Sequence, residues 1–265
     1  MEAWELLLVV SGSFVAGYVG SMLGLVLGTL RLPLIVAVAG SPLAAAGTNI
    51  AISAASAGAG ALRHAREGRV DWRVVAWMAP PSVIGAVAGA VFAGDVSESL
   101  LYAAIAAVLV WSGIDLALRP VRALARDRLR LMPAVLSGFG IGALGGAIGV
   151  ILGTLRMPAL VRGVGLGVRR AAGTNLVVGF LLGVAGFAAH AGSLGVDWAI
   201  LAAGLAGALP GGWLGAKATG RVDERVLRIA LGAVLVLVGG VFGVEAVLLG
   251  GFGEIVAEHH SAKPS

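Results

Sequence analysis

The sequence predicts an all-α polytopic integral membrane protein made of two homologous repeats, and three observations carry that prediction. The 265 residues are 58% hydrophobic and only 12% charged, with a mean hydropathy of +0.98, whereas soluble domains carry about 25% charged residues. Apolar stretches of about twenty residues recur along the chain, and at about 1.5 Å per residue each covers a hydrocarbon core roughly 30 Å thick. A set of short motifs also appears twice, about 125 residues apart, which marks an internal repeat.

Composition excludes several classes. The 43 glycines suit membrane helices, which approach closely through small residues. With no cysteine, disulfides, thiolate catalysis and cysteine metal sites are impossible. The net charge of +5 and pI near 10.7 would suggest nucleic acid in a soluble protein, but here arginine falls between hydrophobic segments, where it sets orientation in the membrane. The expected partner on this ground is therefore the lipid bilayer, with no nucleic acid, and the expected location is the cell (inner) membrane. Met1 to Gly20 lacks a basic n-region and reads as mature protein, not a cleaved signal.

The repeat is dense. Leu27-Gly28-Thr29-Leu30-Arg31-Leu32-Pro33 returns as Leu152-Gly153-Thr154-Leu155-Arg156-Met157-Pro158, and Gly47-Thr48-Asn49 returns as Gly173-Thr174-Asn175. His64 matches His190, Val70-Asp71-Trp72 matches Val196-Asp197-Trp198, and Gly85 and Gly89 match Gly211 and Gly215. Each half shows about four hydrophobic segments: Leu6 to Leu30, Leu43 to Leu62, Val74 to Ala93 and Leu100 to Leu118, then Ala134 to Leu155, Ala171 to Ala189, Ala199 to Ala218 and Val226 to Leu249. The expected organisation is a first membrane repeat at 1–118, a basic cytoplasmic linker at 119–133, a second repeat at 134–249 and a polar tail at 250–265.

Charge argues that the halves are inverted. Between the second and third segments the first half has Arg63, Arg66, Arg69 and Arg73, and the second half has no Lys or Arg. Between the third and fourth the bias flips, with Asp95 and Glu98 against Lys217, Arg221, Arg225 and Arg228. Cytoplasmic loops collect Lys and Arg, so opposite signs mean opposite sides, a common transporter plan. Inversion requires an odd number of crossings per half, so one segment must be broken or re-entrant. Gly28 and Pro33, and again Gly153 and Pro158, mark the expected helix breaks.

Arg31 and Arg156 sit in apolar sequence beside those breaks, where a charge is costly unless it pairs or binds something. The competing reading is a pair of interface anchors that snorkel to the lipid headgroups. Thr48 and Asn49, with Thr174 and Asn175, open the second segment of each half, where they are expected to cap helices whose N–H groups face an anion. Thr29 and Thr154 are further candidate hydroxyl donors. His64 and His190 are read as loop-end residues, and Asp71 and Asp197 as helix starts. No catalytic motif, cofactor site or metal-ligand cluster is evident, so an enzyme is not expected.

This doubled arrangement resembles the TauE/SafE family of sulfite and organosulfonate exporters, over about Leu6 to Leu249. The likeness rests on the Gly-rich helix leading to Pro33 or Pro158, the Ala-x-Gly-Thr at Ala45 to Thr48 and Ala171 to Thr174, and the Val-Asp-Trp and small-residue motifs that follow. The family commonly has consecutive glycines before the Pro and Thr-Ser after the Gly, where this chain has Leu-Gly-Thr-Leu-Arg and Thr-Asn. The resemblance implies export of sulfite or an organosulfonate through a midplane site between the repeats. The alternatives are transport of another small anion and a non-catalytic membrane assembly subunit.

Overall fold

The computed structural model describes residues 3–39, 42–91, 98–120, 124, 128–147, 152–190 and 196–261. Those residues form helices and short connections: α1 (Ala3–Leu23), α2 (Gly28–Ala39), α3 (Pro42–Arg66), α4 (Trp72–Val91), α5 (Glu98–Leu118), α6 (Met132–Ala147), α7 (Gly153–Pro158), α8 (Val168–His190), α9 (Trp198–Thr219) and α10 (Glu224–Ser261). A π-helical turn, Ala159–Val164, continues α7. Among the described residues, α1 and α9 with Val168–Ala188 and Glu224–Leu248 are each long and apolar enough to cross a membrane. The outer surface is apolar, with Leu7, Ile84, Trp111, Leu136, Trp198 and Val247 exposed. A soluble monomer rarely shows so much apolar surface, and lipid accounts for it. The chain is an all-α, multi-pass membrane protein.

The helices begin and end for local reasons. Asp197 caps α9, its Oδ1 accepting the N–H groups of Ala199 and Ile200 at 3.0 Å each. Asp71 does the same before α4, accepting from Val74 N–H at 3.2 Å. Gly68, at φ +68°, ends the turn after α3, a left-handed position that glycine occupies without strain.

Interhelical contacts give the chain direction. Gly17 lies beside Ser56 and Gly60 beside Ser21, so α1 and α3 run parallel. Gly20 lies beside Leu27 and Gly12 beside Leu34, so α2 runs back along α1. In α3 and α8, Gly58 meets Phe180 and Gly60 meets Leu176, so that pair is antiparallel. So are α5 and α10, where Arg228 donates to Leu116 O near one end and Ser99 to Ala246 O near the other. The three most extensive helix seams all cross between the halves, α1 with α9, α5 with α10 and α4 with α6. Gly211 abuts the Phe14 carbonyl, and its counterpart Gly85 abuts the Phe139 carbonyl; a side chain at either would hold the backbones apart.

The first apolar segment of each half is two pieces. In the first half α1 stops at Leu23, residues 24–27 are non-helical, and α2 starts at Gly28. Gly24 has φ +75°, and a β-carbon there would run into the α8 backbone at Ala172. The break thus precedes Gly28 and Gly153, which are the first residues of α2 and α7. The two prolines depart from expectation: α2 continues through Pro33, and Pro158 is the last residue of α7 before the wider π turn. A proline removes one helical hydrogen bond but does not oblige a helix to stop, and a local π turn accommodates it. Residues 148–151, the second-half counterpart of the break, lie outside the described residues, as do 121–123 and 125–127 of the expected linker. In the expected polar tail α10 continues to Ser261, and 262–265 lie outside the described residues.

Candidate functional site

Both repeated arginines are buried, Arg31 at 4% exposure and Arg156 at 1%. That excludes snorkelling, because each guanidinium is enclosed by protein. The partner in each half is the repeated asparagine. Arg31 donates from Nε to Asn49 Oδ1 at 3.0 Å, and from Nη2 to Asn49 Oδ1 at 2.8 Å and Ser53 Oγ at 2.8 Å. Arg156 donates from Nε to Asn175 Oδ1 at 2.9 Å. Each asparagine amide in turn closes the break: Asn49 Nδ2 donates to Gly28 O at 2.9 Å, and Asn175 Nδ2 to Gly153 O at 2.8 Å and Gly24 O at 2.7 Å. Gly24 O, just past the end of α1, is a carbonyl without a helical partner that the Asn175 amide satisfies, while Gly28 O and Gly153 O tie each asparagine to the first residue of the helix after the break.

Asn49 and Asn175 lie inside α3 and α8, which begin earlier, at Pro42 and Val168. The expected capping role therefore does not apply. Pro42 at the first helical position and the alanines after it start α3 about one and a half turns before the motif, and α8 starts equally early at Val168. Thr48 and Thr174 do a different job: Thr48 Oγ1 accepts the Asp197 N–H and Thr174 Oγ1 accepts the Asp71 N–H, both at 3.0 Å. Each threonine thus ties its own half to the helix start of the other. Thr154 is buried within α7, and the side chain of Thr29 lies outside the described residues. His64 departs from expectation: it is buried, with Nε2 3.1 Å from Ser21 O, because the close α1–α3 packing encloses the last turn of α3. The His190 side chain lies outside the described residues.

Among the described residues no carboxylate pairs with Arg31 or Arg156. The ion pairs there are Arg63 and Arg69 with Glu67, and Arg119 and Arg162 with Asp115. These belong to one arginine-rich end of the bundle, where Arg69 donates to Ala216 O, Arg169 to Val222 O and Arg228 to Leu116 O. Burial lowers Arg69 from its ordinary value, and Glu67 offsets that in part.

Between α1 and α3, near the midpoint of α3, lies a pocket bounded by Gly17, Leu25, Gly28, Arg31, Ser53 and Ser56, with room of about 10 Å³, the scale of one water molecule. Ser53 escaped the sequence reading. It stands one helical turn beyond Asn49, a spacing that puts both on one face of α3. A polar residue four positions after the repeated asparagine was the available signal.

The family described as "Sulfite exporter TauE/SafE" matches residues 9–242 of this chain. A Bacillus subtilis (strain 168) protein described as "Probable membrane transporter protein YdhB" is 26% identical over 195 residues, covering 71% of this chain and 79% of that protein. No solved structure matches the chain. A family match that starts in α1 and ends in α10, and so takes in both Arg–Asn junctions, makes this chain a member of the TauE/SafE sulfite exporter family.

Proposed function

We propose that the chain exports a small sulfur-containing anion, sulfite or an organosulfonate, through a site near the bilayer midplane between its two halves. Members of the family are membrane transporters and not enzymes. Among the described residues, no three His, Asp or Glu are grouped to hold a metal. The observation that carries the proposal is the pair of buried guanidiniums, each held by an asparagine and without a carboxylate partner. A buried cation held only by neutral groups is strongly unfavourable, and an arriving oxyanion neutralises it.

Inversion of the halves is part of this proposal. Counting the break and α2 as one passage, the first half goes α1 forward, α2 back, α3 forward, α4 back and α5 forward. Five passages return the second half in the opposite sense, which the antiparallel α3–α8 and α5–α10 pairs support. The arginine-rich end then faces the cytoplasm. On this reading both guanidiniums reach the midplane: Ser53, which binds Arg31, lies near the middle of α3, and Gly179, beside Arg156, near the middle of α8. A pocket the size of one water admits no sulfite, so the conformation described is closed and transport requires α2 or α7 to shift.

Sulfite efflux from proteoliposomes tests the proposal. Loss of a charged hydrogen-bond partner is worth roughly 1.5–3 kcal/mol, so Arg31→Ala and Arg156→Ala proteins that still fold and insert are expected to lose at least about tenfold in flux. Wild-type flux in both variants would move the site elsewhere. A wild-type chain that moves neither sulfite nor sulfoacetate, phosphate or chloride would instead support a non-catalytic assembly subunit.

A further inference from the structure

The two junctions match residue for residue until one helical turn beyond the asparagine. In the first half Ser53 accepts a hydrogen bond from Arg31 Nη2 at 2.8 Å. Its counterpart in the second half, 126 positions on, is Gly179, which has no side chain to offer. Arg31 Nη2 also donates to Asn49 Oδ1 at 2.8 Å and Asn49 O at 3.2 Å, whereas Arg156 reaches Asn175 through Nε alone. Arg156 Nη2 is therefore buried with neither kind of acceptor among the described residues. It lies beside two glycines: a β-carbon at Gly153 would stand 3.4 Å from it, and one at Gly179 3.6 Å. Val26 packs over the same two glycines, its Cγ2 3.5 Å from a Gly153 β-carbon and 2.9 Å from a Gly179 one, and it also borders the pocket at Arg31 and Ser53.

We propose that the anion is held by Arg156 through Nη2, the donor left without an acceptor at its junction, while Arg31 Nη2 is fastened by Asn49 and Ser53 and contributes charge without touching the anion. This rests on the anion-transport reading above and adds to it which arginine reads the substrate and why. An unsatisfied donor on a buried charge costs about 1–3 kcal/mol or more, and a native chain that keeps one at a matched position has an occupant for it. An oxyanion oxygen supplies the missing acceptor and the missing negative charge together. Val26 packs against both glycines and lines the water-sized pocket, so on this proposal its displacement opens the way from that pocket to Nη2.

The test is sulfite binding to the purified full chain in nanodiscs by calorimetry, with size-exclusion profiles as the folding check. Gly179→Ser gives Nη2 an internal acceptor and is expected to weaken sulfite binding by at least about tenfold, whereas Gly179→Ala, adding bulk alone, weakens it by less than about threefold. Ser53→Gly releases the one Arg31 Nη2 hydrogen that the serine accepts, the Asn49 bonds staying in place, and with that second donor binding is expected to tighten. The exchange Ser53→Gly with Gly179→Ser is expected to recover most of what Gly179→Ser loses. Wild-type affinity in Gly179→Ser, or equal losses in the Ala and Ser variants, overturns the assignment. So does weakened binding in Ser53→Gly, which would make the serine hydroxyl the ligand and which decides the matter even where Gly179→Ser fails to fold. A wild-type chain that binds none of sulfite, sulfoacetate, phosphate and chloride overturns the transport reading itself, a different result from wild-type binding that Gly179→Ser leaves unaltered.

Discussion

The Asp71 backbone N–H donates to Thr174 Oγ1 at 3.0 Å, and the matched pair repeats the bond, Asp197 N–H to Thr48 Oγ1 at 3.0 Å. In each case a threonine inside the second long helix of one half fixes the start of a helix in the other. Valine has the same shape and no acceptor, so Thr48→Val and Thr174→Val each leave a backbone N–H unpaired. Each is expected to lower stability by about 1–2 kcal/mol. Thermal midpoints in detergent read this directly, and midpoints unchanged in both variants would remove the threonines from the account of how the halves are joined.

The Gly85–Phe139 and Gly211–Phe14 contacts join the same halves by a different means, backbone against backbone. Alanine at either glycine forces the helices apart and is expected to destabilise by about 1–3 kcal/mol. Gly140 is the control: a β-carbon there would meet nothing within 4 Å, so alanine has open space to enter. Equal midpoints for Gly85→Ala, Gly211→Ala and Gly140→Ala would show that the seams tolerate separation.

Asn49 and Asn175 offer a way to remove positive potential without removing either arginine. Each accepts from the guanidinium Nε through Oδ1, a bond that aspartate keeps and strengthens. The carboxylate also neutralises the charge on which anion binding depends. Asn175→Asp and Asn49→Asp are therefore expected to reduce sulfite flux in proteoliposomes by about tenfold or more, with Asn175→Asp the more severe. The amide donors to Gly24 O, Gly153 O and Gly28 O are lost as well, so a folding check accompanies the flux. Undiminished flux in folded Asn175→Asp would argue that the cation is structural.

Much of this arrangement was legible in the sequence because periodicity, length and composition report on it directly. The apolar segments, the arginine-rich connections and the doubled motifs each correspond to features a bilayer demands. Three features were not legible, for different physical reasons. α3 and α8 begin about one and a half turns before the Gly-Thr-Asn motif, and at Gly167-Val168 no polar residue announces the start. Pro33 lies within α2 although proline in a helix interior costs about 3 kcal/mol, so its presence in the sequence pointed to a break that the backbone does not make there. The exchange of Ser53 for Gly179 carries meaning only once Arg31 Nη2 is seen to end on Ser53 Oγ; along the sequence it is one small residue replaced by another.

The direction of each helix makes the last prediction. Arg73 and Ala199 are counterparts, one residue into α4 and α9, and both are exposed. The start of α4 lies at the arginine-rich end, because Arg69 just before it donates to Ala216 O near the end of α9. The start of α9 is a full helix length away from Ala216, at the opposite end. The chain has no cysteine, so single-cysteine variants label without background. With a membrane-impermeant maleimide, Arg73→Cys and Asp223→Cys are expected to react only from the cytoplasmic side and Ala199→Cys only from the other. Two repeats of the same orientation would instead expose residues 73 and 199 on one side, and that outcome would undo both the proposed inversion and the proposed midplane site at Arg31 and Arg156.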